Sequence, residues 1–188
     1  KDKFFSTVVV LEVDQKPPQE IIDKVVTDCD ISEKNLTVIL TPTRSLCGTT
    51  QVVGRVLEVG LHKVHELGFP IDKVVDGFGS APLPPPAPDF LIGMGRTNDA
   101  ILYGGLVHLY VDTPNDDAEE LAKRLPSSTS IDYGKPFADI FKEYKYDFYQ
   151  IYKMLFSPAK VIVSSLKTGK SYTSGNIDLS LMDNSFNK

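Results

Sequence analysis

Hydrophobic and polar positions between Gln51 and Leu67 separate in the way that they do on an α-helix. Apolar side chains recur every three or four residues, at Val53, Val56, Leu57, Leu61, Val64 and Leu67. Thr49 or Thr50 suits the N-cap position, Gly68 suits the position after the last turn, and Pro70 prevents continuation. The pattern predicts one uninterrupted helix with a stripe that faces a core.

The opposite face of this helix carries ionisable side chains, namely Arg55, Glu58, His62, His65 and Glu66. One interpretation is a solvated surface with a weak Arg55–Glu58 ion pair, and the other is a wall of a reaction site. A metal centre is not favoured, because the histidine spacing is not that of a known zinc motif and His108 is the only other histidine. The residues alone leave the first two interpretations open.

The rest of the chain alternates between strand-like and helix-like patterns. Strands are predicted at Thr7 to Val13, Leu36 to Leu40, from Lys73 into a glycine-rich turn, Leu106 to Asp112 and Ala159 to Leu166; helices are predicted at residues 18–29, 89–102, 115–125 and 136–144. A turn is expected at residues 168–170. This alternation predicts an α+β fold with mixed sheet and helix layers.

Composition limits the functions that the chain could have. The 188 residues are 41% hydrophobic and 24% charged, which is typical of one globular domain or two small ones. The net charge of −5 and the lack of a basic stripe argue against nucleic acid as a partner. The apolar run at Thr7 to Val13 is too short to span a bilayer, so a soluble cytoplasmic protein without membrane partners is expected.

Two cysteines, Cys29 and Cys47, are too few for a disulfide framework and fit a reducing compartment. Cys47 precedes a predicted helix, where the helix dipole would favour a thiolate nucleophile. No partner residue for such a nucleophile is identifiable. A small packed cysteine is therefore the favoured interpretation.

Two further motifs carry polar chemistry. MGRTNDAILYGG places Arg96, Thr97, Asn98 and Asp99 in a row, which would suit either a polar heterocycle or ordinary turn and cap hydrogen bonds. DGFGSAPLPPP has glycines that permit close backbone approach, but it lacks the lysine of a P-loop and the spacing of a dinucleotide fingerprint. ATP and NAD are therefore poor candidates.

Taken together, the motifs RSLCGTTQVVGRVLEVGLHKVHELGF, DGFGSAPLPPPAPD, MGRTNDAILYGG and YGKPFADIFKEYKYDFYQI resemble those of methenyltetrahydromethanopterin cyclohydrolase. The resemblance runs from near residue 1 to about residue 175. Members of this family are longer at the N-terminus. Residues 1–188 are therefore expected to be the C-terminal portion of the family sequence, with the N-terminal part absent.

The resemblance implies two α+β subdomains that flank a cleft, and a homotrimer. It implies hydrolysis of the 5,10-methenyl bridge of tetrahydromethanopterin to the 5-formyl form, a step of one-carbon metabolism in methanogenic archaea and in some methylotrophic bacteria, without metal or organic cofactor. The family's catalytic Arg-x-x-Glu pair falls on Arg55 and Glu58. Glu58 is expected to move protons between water and the departing nitrogen, and Arg55 to orient its carboxylate.

Substrate contacts are hypotheses at this level. Arg96, Thr97, Asn98 and Asp99 are expected to bind the pterin edge; Gly77, Phe78, Gly79 and Ser80 to form a neighbouring wall; and Arg44 or Lys135 to meet the anionic tail of the carrier. The alternatives are a non-catalytic pterin-binding or assembly module and a metal-dependent hydrolase that uses His62 and His65.

Overall fold

Two separate sheets organise the chain, which a computed structural model describes over residues 3–187. Within this range there are six strands: β1 (Thr7–Leu11), β2 (Leu36–Leu40), β3 (Val74–Ser80), β4 (Leu106–Val111), β5 (Lys160–Ser165) and β6 (Ser171–Gly175). The same range forms seven helices: α1 (Gln19–Cys29), α2 (Leu46–Val53), α3 (Val56–Glu66), α4 (Phe90–Gly104), α5 (Asn115–Arg124), α6 (Phe137–Glu143) and α7 (Leu179–Phe186). The predicted α+β class is confirmed.

The smaller sheet is the parallel pair β1–β2, joined through α1. The larger sheet has the order β3-β4-β5-β6, in which β4 and β5 are parallel and the outer pairs are antiparallel. Helices α3 and α5 cover one face of the larger sheet and enclose a core with Val107, Leu109 and Val161. A second core lies between α4, α6 and α7, around Tyr103 and Phe137.

The prediction of one continuous helix over residues 51–67 is wrong, because the chain breaks at Gly54 and Arg55 into α2 and α3. Glycine is a poor helix former, and the amide of Arg55 bonds back only three residues, to the carbonyl of Val52. The first helix also begins earlier, at a cap formed by Ser45 rather than by a threonine. The apolar stripe itself is confirmed: all six of its residues lie in, or pack against, buried core.

Two other predictions are wrong, and two elements were not predicted. The glycines after Val75 form no turn but belong to β3, where they pair with β4. Cys47 is exposed, because the buried side of α2 is formed by Gly48, Thr49 and Val53, so the packed-cysteine interpretation is wrong. Strand β6 and helix α7 were not predicted. The strand is short and rich in serine, and its pattern is weak in isolation.

Helix α3 also buries a charged group. The side chain of Lys63 is fully buried, and its Nζ donates hydrogen bonds of 2.8 Å to the Pro126 carbonyl and to Thr129 Oγ1. These bonds connect α3 to the turn that follows α5. Helix α3, which carries Glu58, is therefore held against the end of α5 from this side of the fold.

Burial lowers the pKa of Lys63 from its usual 10.5 to about 8. Between these two values the native state binds fewer protons than the unfolded chain, so stability rises with pH. We expect the free energy of unfolding to increase relative to Lys63→Met by up to about 1.4 kcal/mol per pH unit in this window. Denaturant titrations of both proteins from pH 7 to pH 10.5 measure this, and a pH-independent difference would contradict it.

Candidate active site

The break between α2 and α3 places an arginine and a glutamate together at the start of a helix. Arg55 is the N-cap residue of α3, and Glu58 lies in its first turn, where the positive end of the helix dipole favours a negative charge. Arg55 Nη1 lies 3.9 Å from Glu58 Oε2, and Arg55 Nε donates to the Gln51 carbonyl at 3.3 Å. The side chains are 50% and 66% exposed, so both are accessible to a ligand.

Both side chains line a cavity of about 320 Å³. Its other walls come from α2, α3, α4 and the segment after α6, namely Val52, Val59, His62, Asn98, Ile101, Phe148, Tyr149, Ile151, Lys153 and Phe156. A few polar groups in a mainly apolar concave surface are typical of a site for a small organic ligand. Of the polar helix face, Arg55, Glu58 and His62 share this concave surface, whereas His65 and Glu66 do not line it.

A turn of aromatic residues after α6 also lines the cavity, and it had not been predicted as part of a site. Phe148 packs against Phe156 at a ring distance of 5.1 Å and against Phe137 at 6.1 Å, and the ring of Tyr149 stands edge-on to it. The available signal was the motif YKYDFYQI, which was noted only as part of the resemblance. Phe148 and Tyr149, the last aromatic pair of this motif, line the cavity together with Arg55 and Glu58.

The row Arg96 to Asp99 is divided by the geometry of α4. Asn98 lines the cavity, and its amide donates to the Met94 carbonyl at 2.9 Å. Arg96 is buried, and its Nη1 donates to the carbonyls of Pro85 and Pro86 at 3.4 and 2.8 Å, which holds the proline-rich connection against the helix. Successive helical residues point about 100° apart, so four neighbours do not share one surface.

Thr97 and Asp99 point into the protein. The Thr97 hydroxyl donates to the carbonyls of Gly93 and Met94 in its own helix. Asp99 accepts from the Phe137 amide at 2.8 Å and from Ser185 Oγ at 2.5 Å, which connects α4 to α6 and α7. The substrate roles of Arg96, Thr97 and Asp99 stay predictions, and only Asn98 of the four lies beside Arg55 and Glu58.

The segment from Gly77 to Ser80, in β3, packs closely against α3 through its two glycines. A Cβ atom on Gly79 would lie 2.8 Å from Val56 Cγ1, and one on Gly77 would lie 3.1 Å from Leu57 Cδ1. Phe78, on the other face of β3, is exposed and packs against the ring of His108 at 5.4 Å. The glycines therefore let the helix that carries Arg55 and Glu58 approach the sheet closely, while a substrate contact of Gly77, Phe78, Gly79 or Ser80 stays a prediction.

Substitution of Gly79 by alanine tests this close approach. The added methyl group would push Val56 away from the sheet, and overpacking of this kind costs about 1–3 kcal/mol. We expect the free energy of unfolding to fall by that amount in Gly79→Ala, measured by denaturant titration. Ser80→Ala, a change at the neighbouring exposed residue, serves as the stability control, and equal stability of the two variants would contradict the packing argument.

The residues proposed for the anionic tail lie elsewhere. Arg44 lines a separate cavity of about 500 Å³ beyond the carboxyl ends of β1 and β2, together with Glu12, Asp14 and Asp89. Lys135 Nζ forms an ion pair with Glu143 at 2.8 Å. The structure does not bring either residue to the cavity of Arg55 and Glu58, and their roles stay predictions.

His62 lies on the cavity wall one turn after Glu58, while His65 is exposed. His62 Nε2 is 3.9 Å from Glu66 Oε1, which also lies 3.7 Å from Lys153 Nζ. Across residues 3–187, no three side chains of His, Cys, Asp or Glu are grouped so that they could hold a metal ion. In the same part of the chain, no helix is both long enough and apolar enough to cross a bilayer.

In this α+β fold, an exposed Arg–Glu pair lies beside a mainly apolar cavity that could hold a small organic molecule. Residues 1–186 match the model of the cyclohydrolase (MCH) family. The chain belongs to this family. The resemblance expected from the motifs is thereby confirmed.

Individual relatives agree with this assignment. The chain is 60% identical over 186 residues to a methenyltetrahydromethanopterin cyclohydrolase of Methylobacillus flagellatus, covering 99% of this chain and 57% of that protein. It is 52% identical over 186 residues to a protein of the same name from Xanthobacter autotrophicus, covering 99% of this chain and 55% of the other. A third, from Methylophilus methylotrophus, is 63% identical over 142 residues, covering 76% and 81%. The chain thus spans little more than half the length of the first two relatives.

Proposed function

We propose that this chain contributes the catalytic pair of a methenyltetrahydromethanopterin cyclohydrolase, which hydrolyses 5,10-methenyltetrahydromethanopterin to the 5-formyl form. The observation that carries the proposal is the placement of Arg55 and Glu58, 3.9 Å apart, on the wall of one cavity. Membership of the cyclohydrolase family and relatives of that name support it.

The substrate chemistry explains why few residues are needed. The methenyl carbon lies between two nitrogens in an amidinium-like cation, so it is already electrophilic. Water attacks this carbon, and Glu58 accepts one of its protons. The tetrahedral adduct collapses with cleavage of the bond to N10, which receives the proton from Glu58. The hydroxyl of the adduct loses its own proton to solvent and becomes the carbonyl of the formyl group on N5. One carboxylate therefore serves both the removal of the first water proton and its delivery to N10.

Arg55 would orient the carboxylate of Glu58 rather than act on the substrate. At 3.9 Å the two groups form a long ion pair, which a water molecule or a small shift of either side chain would adjust on binding. Asn98, on the wall formed by α4, is placed to offer an amide to the pterin edge. Substrate contacts of Arg96, Thr97, Asp99 and Arg44 stay predictions, and these residues do not line the cavity of Arg55 and Glu58.

We further propose that the chain is the C-terminal portion of a longer protein whose N-terminal part supplies another wall of the cleft, and that the whole assembles as a homotrimer. The length of the relatives supports the first part. The small sheet supports it too, because within residues 3–187 β1 and β2 pair only with each other, and Val8, Val10 and Ile39 are exposed on them. Parallel strands are ordinarily covered on both faces.

An assay of methenyltetrahydromethanopterin absorbance tests the proposal. Turnover is expected to fall by about one to two orders of magnitude in Arg55→Ala, because a carboxylate without its orienting partner is poorly placed for proton transfer. Tetrahydrofolate in place of tetrahydromethanopterin, compared in the same assay, tests the carrier. Unchanged turnover in Arg55→Ala would contradict the assigned role of that residue.

A second candidate is a non-catalytic pterin-binding or assembly module, which the partial coverage of the relatives favours. Measurements of ligand binding and of turnover on the same preparation distinguish the module from the enzyme. Binding without turnover, both in this chain and in a protein that includes the longer N-terminal part, would favour the module. Binding with turnover would favour the enzyme.

A further inference from the structure

The motif YKYDFYQI carries no role in the proposed reaction, although it forms part of the cavity. Phe148 and Tyr149 line the same cavity as Arg55 and Glu58. Tyr149 is 92% exposed, which is unusual for a large aromatic side chain without a ligand. A flat ring system bound in the cavity would cover the exposed side chain of Tyr149.

The backbone holds this turn in one shape. Lys145 and Tyr146 both have left-handed φ values, 55° and 62°, which is costly for consecutive residues other than glycine. The shape is fixed by bonds from the Tyr146 amide to the Phe141 carbonyl at 2.9 Å and from the Tyr149 amide to Asp147 Oδ1 at 3.0 Å. Phe148 is further held by Phe156 and Phe137. The backbone of the turn and the ring of Phe148 are therefore positioned before any ligand binds, while the exposed ring of Tyr149 is placed through its backbone and its edge contact with Phe148.

The charges of the cavity suit a cation next to these rings. Arg55 is paired with Glu58 and Lys153 with Glu66, so neither positive group stands unopposed. Aromatic faces attract cations, and the attraction grows when water is excluded. The methenyl form carries a positive charge beside its flat ring system, whereas hydrolysis to the formyl form removes that charge.

We propose that Phe148 and Tyr149 recognise the flat face and the positive charge of the methenyl substrate and thereby bind it in preference to the uncharged formyl product. This inference rests on the proposed function and adds a specificity element to it. Tyr149 is the sharper probe of the two, because its exposed side chain can be changed without disturbing the core, whereas Phe148 packs against buried aromatic residues.

The test measures equilibrium binding of methenyl- and formyl-tetrahydromethanopterin to the Arg55→Gln/Glu58→Gln protein, in which both charges of the ion pair are removed together, with and without Tyr149→Leu. Leucine keeps apolar area but has no aromatic face. We expect methenyl affinity to fall about five- to tenfold and formyl affinity to fall by less than about twofold. Tyr149→Phe should preserve the ratio of the two affinities. Tyr152→Leu, a half-exposed tyrosine outside the cavity wall, is the matched control.

Equal loss of both affinities in Tyr149→Leu would mean stacking without recognition of charge and would overturn the proposal, as would no loss of either. These outcomes leave the proposed reaction intact, since turnover of the unsubstituted protein is measured separately. Failure of the proposed function looks different: neither ligand then binds the unsubstituted protein, which overturns both, or Glu58→Gln hydrolyses the methenyl form at the original rate.

Discussion

Replacement of Glu58 by glutamine is expected to lower the turnover number for methenyltetrahydromethanopterin by about two to four orders of magnitude, the usual contribution of a positioned general base. Glutamine keeps the length and planarity of the side chain but cannot accept a proton from water. Because Glu58 is exposed and makes only the long contact with Arg55, the fold should not depend on it. The variant should therefore stay folded and lose at most about 1 kcal/mol of stability, the usual contribution of a carboxylate in the first turn of a helix.

The matched control is Glu119→Gln on α5, which removes another exposed carboxylate paired with a cation, here Lys123 at 2.7 Å. Glu119 lies outside the cavity of Arg55 and Glu58. Turnover should survive in this variant. If Glu58→Gln retains full turnover while still binding the substrate, the general-base assignment fails, and the base must be sought among the other residues of the cavity wall.

The position of Glu58 in the fold could be predicted from the sequence only in part. The apolar stripe of α3 was predictable, because burial of one helix face imposes the same period on any sequence. The break at Gly54 was not predicted, since a single glycine is tolerated in many helices and only the packing of α2 and α3 in different directions makes it a break. That break makes Arg55 an N-cap residue and places Glu58 in the first turn.

The walls of the cavity were less predictable. Asn98, Tyr149 and Glu58 come from three segments that are far apart in the chain, and their meeting depends on how α3, α4 and the turn after α6 pack together. Local patterns record which face of an element is apolar but not which elements become neighbours. Family motifs marked all three of these segments as important without showing that their side chains share one cavity.

The role of the polar row from Arg96 to Asp99 could not be predicted from its residue types either. Its residue types indicated binding chemistry, but a helix distributes neighbouring side chains around its axis, and three of the four turn inward. A dense polar motif was therefore compatible with either substrate contacts or buried structural bonds. The contacts of Asp99 favour the structural explanation most strongly.

Substitution of Asp99 by alanine is expected to lower the free energy of unfolding by about 3–5 kcal/mol. The carboxylate is fully buried and accepts from the Phe137 amide and from Ser185 Oγ, and each hydrogen bond to a charged group contributes about 1.5–3 kcal/mol. Its removal leaves the first amide of α6 without that acceptor and loosens α7, so both helices of the second core should lose protection from hydrogen exchange.

Asp99→Asn separates this structural role from the predicted contact with the pterin. Asparagine keeps an oxygen that can accept from the Phe137 amide, so it should recover a large part of the stability that alanine loses. If Asp99 acts only through the fold, the folded asparagine variant should have an unchanged KM for the methenyl substrate. A raised KM in a variant of near-native stability would instead place this carboxylate in contact with substrate, which requires α4 to rearrange when the ligand binds.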